Sequence, residues 1–274
     1  MEAIIHTDVG EFAELTRPRY EQDPVLHTVA IGVLHRLLTL PQPDDKPIMV
    51  TLHEGAQLIG SVLRTPPWPA QLADVPLAAI DLVVSTFKQI NPDLPGVIAP
   101  SAQADAFAAK WTDNARVTLH ERLYRLGELD PPTVQGTARL ADESDVPLLA
   151  QWRDDFFAEA LPTEPKPVSA EEQVRRMLAL GSGVTLWEVD GKPVAWATAG
   201  KPNAGMSRIG PVYTPREHRR HGYGAAVSAA ASQWALDQGA EHVVLFADLL
   251  NPVSNSIYQR IGYREVCDWT LYEW

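Results

Sequence analysis

The chain has 274 residues, 45% of them hydrophobic and 21% charged, with a net charge of −12; that length can bury a sizeable core and suggests two domains. The acidic balance argues against a nucleic-acid partner, which needs a broad basic face. A single cysteine, Cys267, excludes an internal disulfide and a cysteine-built metal site, and no apolar run approaches the roughly 20 residues that span a bilayer.

Residues 1–8 lack the basic start and apolar core of a signal peptide, so a cytoplasmic protein is expected. Over 25–40, Val25, Leu26, Val29, Val33, Leu34, Leu37 and Leu38 form a helical stripe. His27 and His35 fall in that helix and read as surface or cap residues rather than ligands. Pro41 to Asp45 ends the helix, with prolines at 41 and 43. A hairpin follows, with strands at 48–53 and 57–64 around Glu54-Gly55-Ala56. Pro66, Pro67 and Pro69 break the pattern around Trp68, and 77–87 resumes it, mixed or helical. Residues 94–100 read as a strand, 102–111 as a helix, 117–126 as a strand. Residues 127–135, with adjacent prolines at 131 and 132, have the composition of an interdomain linker.

The second part opens with a short strand at 137–140. Ser144 is expected to cap a helix whose buried stripe is Val146, Leu148, Leu149, Trp152 and Phe156. Residues 161–168 hold three prolines and read as a loop. Ser169 and Glu172 fit a capping box for a helix at 173–180. Strands at 184–189 and 193–199 form a hairpin across Asp190-Gly191. The strand 207–214 contains Gly210-Pro211, which demands a bulge or an edge because proline cannot donate to a ladder. A helix follows with an apolar face Tyr223, Val227, Ala230 and Trp234, ending at Gly239. The last elements are a strand at 242–246, a helix at 252–260 with proline in its first turn, and a strand at 263–274. Cys267 reads as a half-buried residue of that strand.

Two stretches carry chemistry. In Val212-Tyr213-Thr214-Pro215-Arg216-Glu217-His218-Arg219-Arg220-His221-Gly222-Tyr223-Gly224, a strand gives way to a basic glycine loop and then a helix. This junction aims backbone N–H groups and the positive end of a helix dipole at one point, which suits phosphate. In Asn251-Pro252-Val253-Ser254-Asn255-Ser256-Ile257-Tyr258-Gln259-Arg260-Ile261-Gly262-Tyr263, Ser254 and Tyr258 share one helix face, and Asn251 and Asn255 are likewise four apart. Each feature alone has a plain alternative: a chance glycine loop, an N-cap, an exposed asparagine, a core tyrosine. A dinucleotide fold is discounted because Val227 stands where its third glycine belongs, and a Walker-type loop because no Gly-Lys-Ser/Thr follows.

Together the two stretches resemble the GCN5-related N-acetyltransferases (GNAT). Arg219-Arg220-His221-Gly222-Tyr223-Gly224 fits the family's R/Q-x-x-G-x-G/A signature, and the Asn251–Tyr263 string fits its last helix and strand. The resemblance covers 136–274. It implies an α/β (α+β) fold with a mixed, centrally splayed sheet flanked by helices, and two such domains in tandem. The expected division is a degenerate or accessory domain at 1–127, a linker at 128–135 and a catalytic domain at 136–274. The tandem arrangement rests on element order alone, and an unrelated helical-hairpin cap is the alternative for 1–127.

The implied activity is acyl-CoA-dependent N-acyl transfer, from acetyl-CoA to a small-molecule primary amine, without a covalent enzyme intermediate. The pantetheine arm would pair with Val212, Tyr213 and Thr214. The pyrophosphate would sit at Arg219, Arg220, His221, Gly222, Tyr223, Gly224 and Ala225, with Asn251 and Asn255 as further cofactor contacts. Tyr258 matches the acid that protonates the departing thiolate. Asp248 is the first candidate for the general base, set against a role as a loop cap. His218 and His221 read as solvent-facing. No metal is expected, since neither HExxH nor a His/Asp/Glu cluster occurs. Neither a nucleic-acid nor a membrane partner is expected, and a monomer or homodimer is implied. Asp154, Asp155 and Glu159 could attract a cationic amine, although a solvated acidic helix face explains them as well. The rival from another class is an acyl-CoA-binding regulatory or structural module without turnover.

Overall fold

In the computed structural model, which describes residues 1–40, 45–162 and 165–274, ten elements are strung twice in the same order. The first series is β1 (Glu2–His6), α1 (Val9–Tyr20), α2 (Thr28–Thr39), β2 (Ile48–Glu54), β3 (Gln57–Arg64), β4 (Ala70–Ala73), α3 (Ile80–Ile90), β5 (Gly96–Pro100), α4 (Ser101–Trp111) and β6 (Arg116–Leu126). The second is β7 (Thr137–Leu140), α5 (Val146–Ala160), α6 (Ala170–Ala179), β8 (Gly183–Val189), β9 (Lys192–Ala199), β10 (Met206–Tyr213), α7 (Tyr223–Asp237), β11 (His242–Asp248), α8 (Pro252–Arg260) and β12 (Tyr263–Glu273). Two compact units result, and neither is one continuous piece of sequence. The first takes Met1–Leu123, Asp248–Leu250 and Cys267–Trp274; the second takes Tyr124–Ala247 and Asn251–Val266.

In the first unit, β1, β2, β3 and β4 pair antiparallel in turn, and β5 joins β4 in parallel. The end of β12 pairs antiparallel with β5, with Trp269 opposite Pro100 and Glu273 opposite Gly96, and β6 follows β12 in the strand order. Val50, Leu52, Val62, Leu72 and Val97 pack with Ile80, Val83, Phe87 and Phe107 of α3 and α4. Residues of opposite parity on the same strands meet α1, where the Tyr20 hydroxyl and Ser61 Oγ share a 2.7 Å hydrogen bond. Trp274 stacks on Trp111, with centroids 5.4 Å apart, and its indole N–H donates to the Leu94 carbonyl.

In the second unit, β11, β10, β9, β8 and β7 follow one another across the sheet. β10 and β11 are parallel from Met206–His242 to Ile209–Leu245. The β9–β10 register shifts between Ile209 and Val212, so Gly210-Pro211 forms the expected bulge. Asp190 and Gly191 take positive φ angles of 50° and 73°, as a tight hairpin turn between β8 and β9 requires. Gly239, with φ of 87°, follows α7 as expected.

Several local expectations need correction. β1, α1 and β4 stand where the sequence pattern predicts neither a strand nor a helix. Asp142, not Ser144, caps the turn leading into α5, in a capping box with Asp145; the Ser144 N–H and hydroxyl both donate to Asp142 Oδ1, at 2.8 and 2.6 Å. His27 stands at the N-cap of α2 but is buried, makes no side-chain capping bond, and lies against Tyr20. Burial pushes its imidazole pKa down, opposed first by the Asp74 charge and then by a hydrogen bond to the Tyr20 backbone and by Asp23. α7 buries Ala225, Ala226, Ser228, Ala229, Ala231, Ser232 and Ala235 along with Val227, whereas Tyr223, Ala230 and Trp234 stay half-exposed. Parts of two expected breaks, 41–44 and 163–164, fall outside the described residues.

Candidate donor-binding and catalytic site

The β10–α7 junction is built by backbone conformation. Arg220 has φ of 67° and Gly222 of 83°, so two left-handed residues stand just before the helix. For Gly222 that angle alone favours glycine. A second constraint adds to it, because a Cβ there would sit 2.8 Å from Val134 Cγ1 of the 127–135 segment. That segment is held along its length: Gly127 N–H donates to the Gly262 carbonyl (3.0 Å), Asp130 N–H to Ile261 (3.1 Å), and the Trp187 indole to Gln135 (3.0 Å).

Helix α7 begins with Gly222 as N-cap, without a capping side chain and without an acidic residue in its first turn. Its first N–H groups therefore lack intrahelical partners and carry the positive end of the dipole. Successive N–H groups in such a turn form an anion-binding concavity. Gly224 lies against Thr214, whose Oγ1 would be 3.4 Å from an added Cβ. His221 stacks on Tyr223 at 5.3 Å, and its Nδ1 lies 3.3 Å from the His218 carbonyl. Ala225 is buried.

Two of the loop's charges are paired within the protein. Glu159, in the last turn of α5, accepts from Arg216 Nε at 3.0 Å and from Arg219 Nη2 at 2.7 Å. Arg219 Nε also donates to the Thr214 carbonyl, at 2.9 Å. Arg220 is exposed and has no ion-pair partner among the described residues. Ahead of the loop, Val212 pairs with Ala197 and Tyr213 with Trp196. The Tyr213 ring is buried against Trp152; burial raises its pKa first, with Glu159 and Asp155 adding to the shift.

On α8, Asn251 is the N-cap, its Oδ1 accepting from Ser254 N–H at 3.1 Å. Asn255 Nδ2 donates to the Asn251 carbonyl (2.8 Å), while its Oδ1 accepts from the Tyr124 hydroxyl (2.8 Å). Tyr258, one turn on, is buried with its ring 6.1 Å from that of Tyr263. Burial pushes the Tyr258 phenol up to about 12. No hydrogen-bond partner of its hydroxyl is seen among the described residues. Tyr263, by contrast, spends its hydroxyl on Ser232 at 2.7 Å. Asp248, the last residue of β11, accepts from Leu250 N–H at 2.8 Å and closes the turn that follows. Sequence reasoning missed the tie of Tyr124 to Asn255 and the Glu159–arginine fork, because both join residues far apart in the chain.

At the β10–α7 junction, β10 pairs in parallel with β11 as far as Ile209, shifts register against β9 between Ile209 and Val212, and runs through a glycine turn into an uncapped helix. Residues 146–263 match the model of the acetyltransferase (GNAT) family. Solved structures agree in fold. A GCN5-related N-acetyltransferase from Kribbella flavida aligns over 91% of this chain and 95% of its own, with a TM-score of 0.62 and 19% identity. A GNAT-family acetyltransferase from Colwellia psychrerythraea aligns over all of both chains, with a TM-score of 0.64 and 12% identity. A tandem GNAT protein from the clavulanic acid biosynthesis pathway aligns over 99% of this chain and 98% of its own, with a TM-score of 0.58 and 12% identity. By sequence, no curated protein matches the chain. Among the described residues, no helix is long and apolar enough to cross a membrane.

Proposed function

We propose that the protein transfers an acyl group, acetyl in the first instance, from coenzyme A to a primary amine of a small molecule by direct attack in a ternary complex. The observation that carries this reading is the uncapped, acid-free start of α7 behind two left-handed residues, which suits an anion. The pyrophosphate rests on the N–H groups from Arg220 to Ala225, with Arg219 and His221 bracing the loop from either side. Backbone groups of Val212, Tyr213 and Thr214 pair with the pantetheine arm, and one N–H polarises the thioester carbonyl.

The neutral amine attacks the carbonyl carbon, the C–S bond breaks, and the thiolate takes the proton of the Tyr258 hydroxyl. A phenol raised to about 12 is fully protonated at neutral pH and available to give that proton. Asn251 keeps its Nδ2 for the donor, since its Oδ1 caps α8, and Asn255, which holds the Asn251 backbone carbonyl, is the further contact. Asp248 receives the amine's proton, a role that rests on its position in the chain alone. Residues 136–274 are the catalytic region in this reading, and 1–127 serve as an accessory copy. A thiol-release assay with acetyl-CoA and a panel of amines tests it: release with at least one amine supports an enzyme. Tight coenzyme A binding with no release from any amine favours a non-catalytic acyl-CoA sensor.

A further inference from the structure

Glu159 occupies an unusual place for a helix-end carboxylate. Its two oxygens are divided between two arginines of one loop, Oε1 on Arg216 Nε and Oε2 on Arg219 Nη2, at 3.0 and 2.7 Å. Arg219 holds its carboxyl below the usual carboxylate range, Arg216 adds to this, and partial burial opposes it. Arg219 immediately precedes the residues whose N–H groups face the expected pyrophosphate. Its Nε is separately tied to the Thr214 carbonyl at 2.9 Å, so leaving Glu159 means swinging the whole planar guanidinium, this bond included. The loop thus already holds an anion, supplied by the protein.

We propose that Glu159 is a built-in competitor for the donor's phosphates: coenzyme A draws Arg216 and Arg219 away from it and so loosens the last turn of α5. The inference rests on the donor reading above. A pyrophosphate offers more charge and more acceptor oxygens than one carboxylate, so it wins a contest for guanidinium groups. The pair it displaces is accessible to solvent, with Arg216 and Arg219 at 76% and 42% side-chain exposure and Glu159 at 29%. Such pairs contribute little and yield easily. The turn at stake is short: Leu161 N–H donates to the Phe157 carbonyl at 3.0 Å, closing α5 just beyond Glu159. Phe157 is buried under Arg153 and stays in place. Donor binding is therefore felt at the end of α5 and no further back along the helix.

Coupling of this kind is reciprocal, so removing the competitor strengthens donor binding. Coenzyme A is titrated calorimetrically into the full chain and into Glu159→Gln at low salt. The variant is expected to bind about threefold tighter, the scale of an exposed ion pair. In hydrogen exchange, the amides of 157–161 are expected to exchange faster in the wild type once coenzyme A is added. In Glu159→Gln they are fast with or without it. A variant that binds equally or more weakly, or wild-type amides that slow or do not change, overturns the inference while leaving the donor reading intact. A wild type that binds no coenzyme A overturns both.

Discussion

The two series repeat one element order, yet the units built on them differ at each point where chemistry is expected. Between β10 and α7 stand Gly222 and Gly224, a positive φ at Arg220, and a helix start without an acid. Between β4 and α3 stand Asp74, Val75, Pro76 and a 3-10 turn, with no glycine, and Asp81 fills the first turn of α3. A carboxylate in that position already answers the helix dipole. Helix α8 starts on Asn251 and carries Tyr258 seven residues later; α4 starts on Pro100 and carries Phe107 seven residues later. Phe107 is fully buried, stacked toward Trp111 and Trp274. The two series share an element order, and at this position the first holds a core aromatic where the second holds the candidate acid.

The largest expected effect comes from making the second unit resemble the first at this position. Tyr258→Phe is expected to lower kcat about a hundredfold or more near neutral pH while donor affinity holds, the range of a positioned acid. Steady-state kinetics with a calorimetric donor Kd measure both. An unchanged kcat would mean that Tyr258 is a core aromatic like Phe107.

The converse change tests whether the first unit's aromatic cluster serves stability alone. Trp274→Ala removes the ring stacked on Trp111 and the bond to Leu94, and is expected to cost about 2–3 kcal/mol, below the range for a fully buried tryptophan. Thermal or denaturant unfolding should show that loss, with donor affinity unchanged.

Alkaline pH should act more gently and on both units. Burial raises Tyr258 and Tyr20 to about 12. A folded pKa above the unfolded value near 10 gives stability that is complete below pH 10 and falls as pH rises from 10 to 12. Unfolding midpoints should therefore be flat through neutral pH and drop across that window, with a smaller drop in Tyr258→Phe.

The contrast between the units also explains what could be read from the sequence. In the second unit every element was legible, because Asp190-Gly191, Gly210-Pro211 and the glycine loop punctuate the chain with turns that only certain residues tolerate. In the first unit β1, α1 and β4 were hidden. β1 is an edge strand with mostly exposed side chains; α1 has charged residues through its middle and Pro18 near its end. β4 is four residues long and buried on both faces, so it shows no alternation. The buried face of α7 was misread for a related reason: alanines packed close to the sheet outweigh Tyr223 and Trp234, which lie at the flanks. At the candidate site the backbone cradle was legible, since glycine spacing encodes it. The Glu159 fork was not, because 57 and 60 residues separate it from Arg216 and Arg219.

The central claim is that one donor site exists, at the β10–α7 junction. Calorimetric titration of the full chain with acetyl-CoA, beside Gly222→Ala, tests it most directly. A Cβ at that position meets both a left-handed φ and Val134, and the conformation alone costs about 1–2 kcal/mol. The account predicts one equivalent bound per chain and at least about tenfold weaker binding in the variant. Two equivalents, or a variant that binds as tightly as the wild type, would contradict it.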